Sequence, residues 1–254
     1  MNKKIVFPES ENISVVKAAR KAAEKGLCEP VLLSGESSLT EAANMVKSGA
    51  ADTMIAGIDY SSLDVILAAK NIIGVSGKTF SSIILLELPN EKIIISDVAT
   101  CKRPSAEQLA DIVMLANDSA TKLLGEPKVA MLSFSTFGSG GSDASIDLIR
   151  QAVTFIHNKR PDIEIDGEMQ LDAAVNKAIA KKKMPQSNVA GNANVLICPD
   201  INSANILYKG IVQFAGAKAY GPILLGFNKI LSDLSRGSTE DDVLGTISTL
   251  VKLI

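Results

Sequence analysis

The chain has 254 residues, of which 46% are hydrophobic and 21% are charged, and its formal net charge at pH 7 is −2. These values are typical of a globular protein with one large or two modest domains, and they argue against nucleic acid or an anionic membrane as a partner. Three widely spaced cysteines and a single histidine argue against a disulfide framework or a zinc site. With neither a signal-peptide core nor a membrane-spanning run, we expect a soluble cytoplasmic protein.

Short apolar runs alternate with longer segments of helical period along the chain. The predicted strands are residues 5–7, 31–33, 53–56, 81–88, 92–96, 129–133, 163–165, 194–197 and 219–224. The predicted helices are residues 15–25, 40–47, 63–73, 106–124, 143–158, 170–182, 204–215 and 239–253. The neighbouring strands 81–88 and 92–96, joined by a short polar segment with proline, are typical of a β-hairpin. The alternation predicts an α/β fold that is mostly parallel, with an antiparallel insertion.

A glycine-rich loop follows the predicted strand 129–133 and precedes the helix 143–158. Backbone N–H groups in such a loop can bind an anion. The spacing of its glycines matches neither GxxxxGK[ST] nor GxGxxG, which disfavours a nucleotide. We expect the loop to line a phosphate or acyl pocket, the alternative being a plain turn. The residues concerned are Ser135, Thr136, Gly138 and Ser139.

Chemically useful side chains cluster near the C-terminal end of the chain. Ser235 and Arg236 lie in a polar loop after an apolar run. A hydroxyl residue at position 238 or 239 is predicted to cap the last helix, because an acid, Asp241 or Asp242, follows three residues later. A guanidinium, hydroxyls, a helix N-terminus and a carboxylate suit a small anion that reacts with a nucleophile that must lose a proton.

Segments spread over nearly the whole chain resemble one enzyme family. They are residues 5–9 (IVFPE), 129–136 (VAMLSFST), 166–174 (DGEMQLDAA), 189–200 (VAGNANVLICPD), 219–223 (AYGPI) and 234–237 (LSRG). On these segments the chain is similar to the phosphate acyltransferases, and most closely to phosphate acetyltransferases (phosphotransacetylases). The resemblance implies two α/β domains with mostly parallel sheets and an interdomain cleft, an architecture like that of isocitrate and isopropylmalate dehydrogenases.

The resemblance also implies a division of the chain into domains. Residues 1–76 together with 230–254 would form the first domain, and residues 77–229 the second. Residues 34–38 join elements that are distant in the family. We therefore expect a shortened first domain.

The activity that the resemblance implies is the interconversion of acetyl-CoA and phosphate with acetyl phosphate and CoA. The enzyme would be a homodimer that uses no metal or other cofactor, with CoA as a substrate. At the matching positions the resemblance implies that Asp242 would be the general base for the CoA thiol, that Arg236 would stabilise the phosphate and the transition state, and that Ser235 would donate a hydrogen bond to the developing oxyanion. The alternatives are a capping acid for Asp242, a salt bridge of Arg236 with Asp233 or Glu240, and a turn hydroxyl for Ser235.

Three residues near the strand 194–197 are further candidates for substrate binding. We expect Asn202, Asn205 and Lys209, in the turn and helix after that strand, to contact the pantetheine arm or the phosphate. Among the positions that depart from the family, Leu67 and Gln213 stand where working acetyltransferases carry arginine. Lys102 and Arg103 are candidates to replace the lost positive charge.

Three other functions remain open at this point. The protein could be a propionyl or butyryl transferase, or a catalytically weak paralogue that binds CoA or acyl phosphate. A dehydrogenase of related fold is the third, and it is disfavoured because the sequence lacks a dinucleotide fingerprint and clustered metal-ligand carboxylates.

Overall fold

The structure is a computed structural model that describes residues 3–254. It divides into two compact units, one formed by the residues up to Phe80 together with Lys218–Ile254, the other by Ser81–Ala217. The domain bounds that we expected, at residues 76 and 230, stay a prediction.

The described residues form ten strands and nine α-helices. The strands are β1 (Lys3–Phe7), β2 (Cys28–Leu32), β3 (Thr53–Ala56), β4 (Ser81–Glu87), β5 (Lys92–Ser96), β6 (Val129–Leu132), β7 (Ile165–Met169), β8 (Val195–Ile197), β9 (Lys218–Leu225) and β10 (Leu231–Asp233). The helices are α1 (Ile13–Glu24), α2 (Ser38–Ser48), α3 (Ser62–Ala68), α4 (Ala106–Leu124), α5 (Ala144–Lys159), α6 (Leu171–Val175), α7 (Lys177–Lys183), α8 (Ile201–Ala215) and α9 (Glu240–Leu253). A π-helical segment, Ala69–Ile73, continues α3.

The first unit contains a sheet in the order β2-β1-β3-β10-β9. Neighbouring strands are parallel, except that β9 runs antiparallel to β10. Residues 5–7 of β1 and 54–56 of β3 are buried and apolar, as expected for strands covered on both faces. Because β1, β3 and β10 are parallel, their carboxyl ends meet at one edge of the sheet, where Glu9, Gly57 and Asp233 follow or end the strands.

The second unit contains a sheet in the order β4-β5-β8-β6-β7. The antiparallel pairing of β4 with β5 confirms the predicted hairpin, and β5, β8, β6 and β7 are parallel. Helices α4 and α5 pack on each other through buried aliphatic side chains. The predicted α/β class, with mostly parallel strands, is therefore confirmed.

Several elements differ from the prediction, among them β2 and α8, which each begin three residues earlier than expected. β10 was not predicted, because its three residues are too short to show a period. The strand expected at 163–165 begins only at Ile165 and runs to Met169. The helix expected at 170–182 is two helices, since Asn176 adopts an extended conformation and its side chain caps the N–H groups of Ala178 and Ile179.

Candidate active site

Glu9, which follows β1, is a buried carboxylate with an unusual number of backbone partners. Its side chain is 5% exposed, and it accepts hydrogen bonds from four successive N–H groups, those of residues 57–60, at 2.8–3.3 Å. Such donors compensate the carboxylate for the water that it loses on burial. Glu9 therefore fixes the loop after β3, a contact between residues about 50 positions apart that sequence analysis did not predict.

Asp233 ends β10 at the same edge of the sheet and is 1% exposed. Its Oδ1 has no hydrogen-bond partner among the described residues. Burial raises the pKa of Asp233 to about 6, a hydrogen bond with the Ser62 side chain acts in the opposite direction, and the charge of Glu9 raises the pKa further. The buried environment thus keeps the Asp233 carboxyl protonated in mildly acidic solution.

The loop that carries Ser235 and Arg236 starts from this buried position. The N–H of Leu234 donates to the carbonyl of Ala56 at 2.6 Å, and the carbonyl of Ser235 accepts from Ser238 N–H at 2.9 Å. Arg236 lies exposed in the resulting turn.

Arg236 forms no ion pair within residues 3–254. The alternative that it pairs with Asp233 or Glu240 is not realised, because Asp233 is buried and Glu240 pairs with Lys21 at 3.5 Å. An exposed guanidinium without a carboxylate partner remains available to an anion.

Asp242 belongs to the N-terminal cap of α9, and Thr239 is the capping residue. Oδ2 of Asp242 accepts from the N–H and the hydroxyl of Thr239, at 2.9 and 2.7 Å, while Thr239 Oγ1 accepts from Asp242 N–H at 3.3 Å. The predicted capping box is therefore formed. The alternative that Asp242 is a capping acid is correct for its Oδ2 atom. Oδ1 makes no hydrogen bond within the described part of the chain, so one carboxylate oxygen remains for chemistry. The structure brings Ser235, Arg236 and Asp242 to one loop–helix junction.

The buried Asp233 predicts a pH-dependent stability. A carboxyl whose pKa rises on folding from 3.8 to about 6 stabilises the folded state below pH 3.8 and loses that contribution as the pH rises through 6. Between pH 4 and 7.5 the loss should amount to about 2–3 kcal/mol. Urea unfolding at four pH values in this range measures the effect. As the pH rises, the free energy of unfolding of Asp233→Asn should increase relative to that of wild type. Parallel pH dependences of the two proteins would contradict the assignment.

In the second unit, Glu168 organises the glycine-rich loop. It is 1% exposed and accepts hydrogen bonds from Ser135 Oγ at 2.9 Å, Gly138 N–H at 2.8 Å and the Arg150 guanidinium at 2.8 and 3.2 Å. Burial by itself would raise the pKa of Glu168, but the hydrogen bonds from Arg150, Gly138 and Ser135 outweigh it and lower that pKa. Glu168 thus holds a buried negative charge that anchors the loop.

The polar side chains of the loop form hydrogen bonds with one another and with Glu168 and Gln170. The Ser135 hydroxyl, fully buried, donates to Glu168 and accepts from Gly140 N–H at 2.9 Å. Thr136 Oγ1 accepts from Gln170 N–H at 3.0 Å, and Ser139 Oγ accepts from Thr136 N–H at 2.9 Å. These hydrogen bonds fix the shape of the turn without a ligand. A role of these residues in substrate binding stays a prediction.

A pocket of about 660 Å³ opens at the carboxyl end of the second sheet. It is lined by Thr100, Cys101, Lys102, Arg103, Gln108, Ile201 and Asn202. The buried Asp97 accepts hydrogen bonds from the N–H groups of residues 99–101, which lead into the pocket, at 2.5–3.2 Å. The pocket includes residues from the first turns of α4 and α8, whose N-termini favour negative charge.

Two exposed cations line this pocket without carboxylate partners. Lys102 and Arg103 make no ion pair within residues 3–254. Together with the two helix N-termini they favour an anionic ligand.

Of the three candidates on α8, the structure places only Asn202 in this pocket. Asn205 is half-buried, and the Lys209 ammonium lies 5.1 Å from the centre of the Tyr208 ring. The positions that lack the family's arginines are both partly or fully exposed, Leu67 on α3 and Gln213 on α8.

Within residues 3–254, no cluster of three or more His, Cys, Asp or Glu side chains could hold a metal ion. None of the helices in that part of the chain combines the length and apolarity needed to span a bilayer.

Comparison with known proteins relates this chain to one family. Residues 37–251 match the family described as phosphate acetyl/butaryl transferase. A phosphate acetyltransferase of Treponema pallidum is 46% identical over 223 residues, which cover 83% of this chain and 66% of that protein. One from Clostridium acetobutylicum is 40% identical over 81% of this chain and 64% of its own length. The chain therefore spans slightly less than two thirds of these curated relatives.

Solved structures agree with this relationship. A phosphotransacetylase from Streptococcus pyogenes matches with a TM-score of 0.91 and 31% identity, covering 99% of this chain and 94% of that one. A branched-chain phosphotransacylase from Enterococcus faecalis shares the fold, with a TM-score of 0.83 at 22% identity and 98% coverage of both chains. The chain belongs to the phosphate acetyl/butaryl transferase family.

Proposed function

We propose that the protein interconverts acetyl-CoA and phosphate with acetyl phosphate and CoA. The observation that carries this proposal is the loop–helix junction of the first unit. There an exposed guanidinium (Arg236), a hydroxyl (Ser235) and a carboxylate (Asp242) lie within eight residues, and among residues 3–254 the guanidinium has no ion pair and Oδ1 of Asp242 no hydrogen bond. The names of the relatives support the same reaction.

In the direction that forms acetyl-CoA, the thiol of CoA must first lose its proton. A free thiol has a pKa of about 8.5 and is mostly protonated at neutral pH, so a base is needed. Asp242 Oδ1 takes the proton, and the thiolate attacks the carbonyl carbon of acetyl phosphate. The C–S bond forms, the C–O bond to phosphate breaks, and inorganic phosphate leaves. The proton on Asp242 then passes to solvent or to the departing phosphate.

Charge develops on two groups during this reaction. The carbonyl oxygen becomes an oxyanion, to which the Ser235 hydroxyl donates a hydrogen bond. The phosphate is a dianion, which the Arg236 guanidinium can bind through two parallel hydrogen bonds. The reverse direction follows the same steps in the opposite order.

A thiol-release assay with acetyl-CoA and phosphate, or arsenate in its place, tests the reaction. We expect wild type to release CoA far faster than Asp242→Asn. Equal rates, together with CoA binding by both proteins, would favour a catalytically weak paralogue that binds CoA or acyl phosphate. The ratio of rates with acetyl-, propionyl- and butyryl-CoA decides between acetyl transfer and transfer of a longer acyl group.

We assign the pocket of the second unit to phosphate groups of CoA. Lys102→Ala combined with Arg103→Ala should raise the KM for CoA at least tenfold with a smaller change in kcat, since a charge-assisted hydrogen bond contributes about 1.5–3 kcal/mol. The matched control removes Lys181 and Lys182, two exposed lysines at the end of α7, and should leave KM unchanged. An equal rise of KM in both double variants would indicate a general effect of net charge and contradict this assignment.

We propose that the protein is a homodimer, as the family resemblance implies. Helix α8 supports a second copy of this chain as its partner, because only Ala204 and Tyr208 of its fifteen residues are buried. Ile206 and Phe214, on one side of that helix, are 72% and 95% exposed. Sedimentation should show a dimer for wild type and for Ile13→Glu, a change at an exposed residue of α1, but a monomer for Phe214→Glu. A monomeric wild type would contradict the proposal.

We infer a cytoplasmic location. Cys28, Cys101 and Cys198 are all free thiols. Burial raises the pKa of Cys28 to about 11 and, together with the charge of Asp200, raises that of Cys198 to about 12. Free cysteines are typical of a reducing compartment.

A further inference from the structure

The loop with Ser235 and Arg236 begins next to two buried carboxyl groups, those of Glu9 and Asp233, which take no part in the proposed reaction. Asp233 lies directly before Leu234, Ser235 and Arg236, and its carboxyl packs against the backbone at Gly57. A Cβ atom at Gly57 would overlap Asp233 Oδ1 and would lie 2.7 Å from both the N and the O of Leu234. The start of the loop is therefore held in close contact with the end of β3.

We infer that Asp233 is a positioning residue for the Ser235–Arg236 loop, and that it holds the loop in place when its carboxyl carries a proton. This inference rests on the proposed function for its catalytic consequence, but its structural part can be tested separately.

The charges around Asp233 explain why a proton matters. Glu9 already places one negative charge in this buried region, and its oxygens are occupied by the N–H groups of residues 57–60. Asp233 Oδ1 has no donor among the described residues. A second charge there would lack water, and Oδ1 would lack a donor although the Ser62 hydroxyl bonds to the carboxyl, so ionisation favours movement of Asp233 and the residues that follow it toward solvent.

The elements packed against β10 supply no cation that would compensate this charge. β3 has no ionisable side chain, and α3 offers the Ser62 hydroxyl. Asp64 on α3 is bonded to Ser61, and Asp242 on α9 to Thr239. On β9 the residues that pair with β10 are Ile223 and Leu224, whereas its ionisable side chains, Lys218 and Tyr220, lie before them in the strand.

The remaining charges of α9 lie elsewhere. Glu240 and Asp241, at its first turn, face Lys21 at 3.5 and 3.8 Å, and Lys252 lies in its last turn. Glu9 is thus the charged group that acts on Asp233.

Hydrogen exchange measured by mass spectrometry tests the positioning role without reference to activity. After correction for the intrinsic rate, protection of the Leu234 amide in wild type should fall about tenfold between pH 5 and 7.5, because opening exposes a carboxyl that ionises more readily in water. Asp233→Asn copies the shape of the protonated residue and should keep its protection constant. The control Asp241→Asn, at an exposed carboxylate of α9, should behave as wild type. Protection that is independent of pH in wild type, or that changes equally in Asp233→Asn, would overturn the inference.

The catalytic consequence is read from the KM for phosphate. Because phosphate itself titrates in this range, the informative quantity is the ratio of the wild-type KM to the Asp233→Asn KM, which should rise as the pH passes through 6 while kcat changes less. A constant ratio would show that the loop position does not control phosphate binding. If wild type has no transferase activity, the proposed function fails, and the exchange experiment still decides whether Asp233 positions the loop.

Discussion

Asp242→Asn is expected to lower kcat by about 10²–10⁴-fold, the usual contribution of a general base. The amide oxygen of asparagine can still accept from the N–H and hydroxyl of Thr239, so the cap of α9 and the position of the side chain are retained. What the variant loses is the ability of the second oxygen to take a proton from the thiol of CoA. Thiol release at saturating substrate measures the effect.

The matched control for this prediction is Asp241→Asn. Asp241 is the preceding residue, is exposed, and lies 3.8 Å from Lys21. Its replacement makes the same change in charge and removes at most a weak surface ion pair. A loss of kcat that is equal in the two variants would indicate that the general negative charge of the helix N-terminus, and not a base at position 242, is responsible.

Glu168→Ala is expected to lower the free energy of unfolding by about 3 kcal/mol, since removing one partner of a buried hydrogen bond costs about 1–3 kcal/mol for each group left unsatisfied. The variant removes the acceptor of the Ser135 hydroxyl, the Gly138 N–H and the Arg150 guanidinium at once. The Arg150 side chain is 47% exposed and can be solvated by water, whereas the Ser135 hydroxyl is fully buried. Urea unfolding at neutral pH measures the difference.

Glu164→Ala provides the comparison for Glu168→Ala. Glu164 also pairs with a cation, Lys128 at 2.9 Å, but its side chain is 43% exposed. Exposed pairs of this kind contribute about 0–1 kcal/mol. If the two variants lose the same stability, the buried network does not hold the glycine-rich loop as described.

Much of the architecture was predictable from local patterns. Alternating apolar runs and helical periods predicted the α/β class, and the polar break at residues 89–91 predicted the hairpin of β4 and β5. The three-residue spacing of a hydroxyl residue and an acid predicted a cap of α9 at position 238 or 239, because a capping box involves neighbours along the chain, and the structure places it at Thr239 with Asp242. The strand β10 escaped prediction for the opposite reason, since three residues carry no periodicity and the strand forms only by pairing with β3 and β9.

The sequence by itself therefore determined the fold class and the presence of a cap on α9, both of which depend on order and spacing along the chain. Only the tertiary structure decided which buried carboxylates lie beside residues from distant parts of the chain. Glu9 meets the loop after β3 from about 50 residues away, Glu168 meets Gly138 and Ser135 from at least 30 residues away, and Asp233 becomes a buried acid only when β10 enters the sheet. Such contacts depend on strand order and register, which bring distant residues together and bury them. Local sequence patterns do not determine strand order or register.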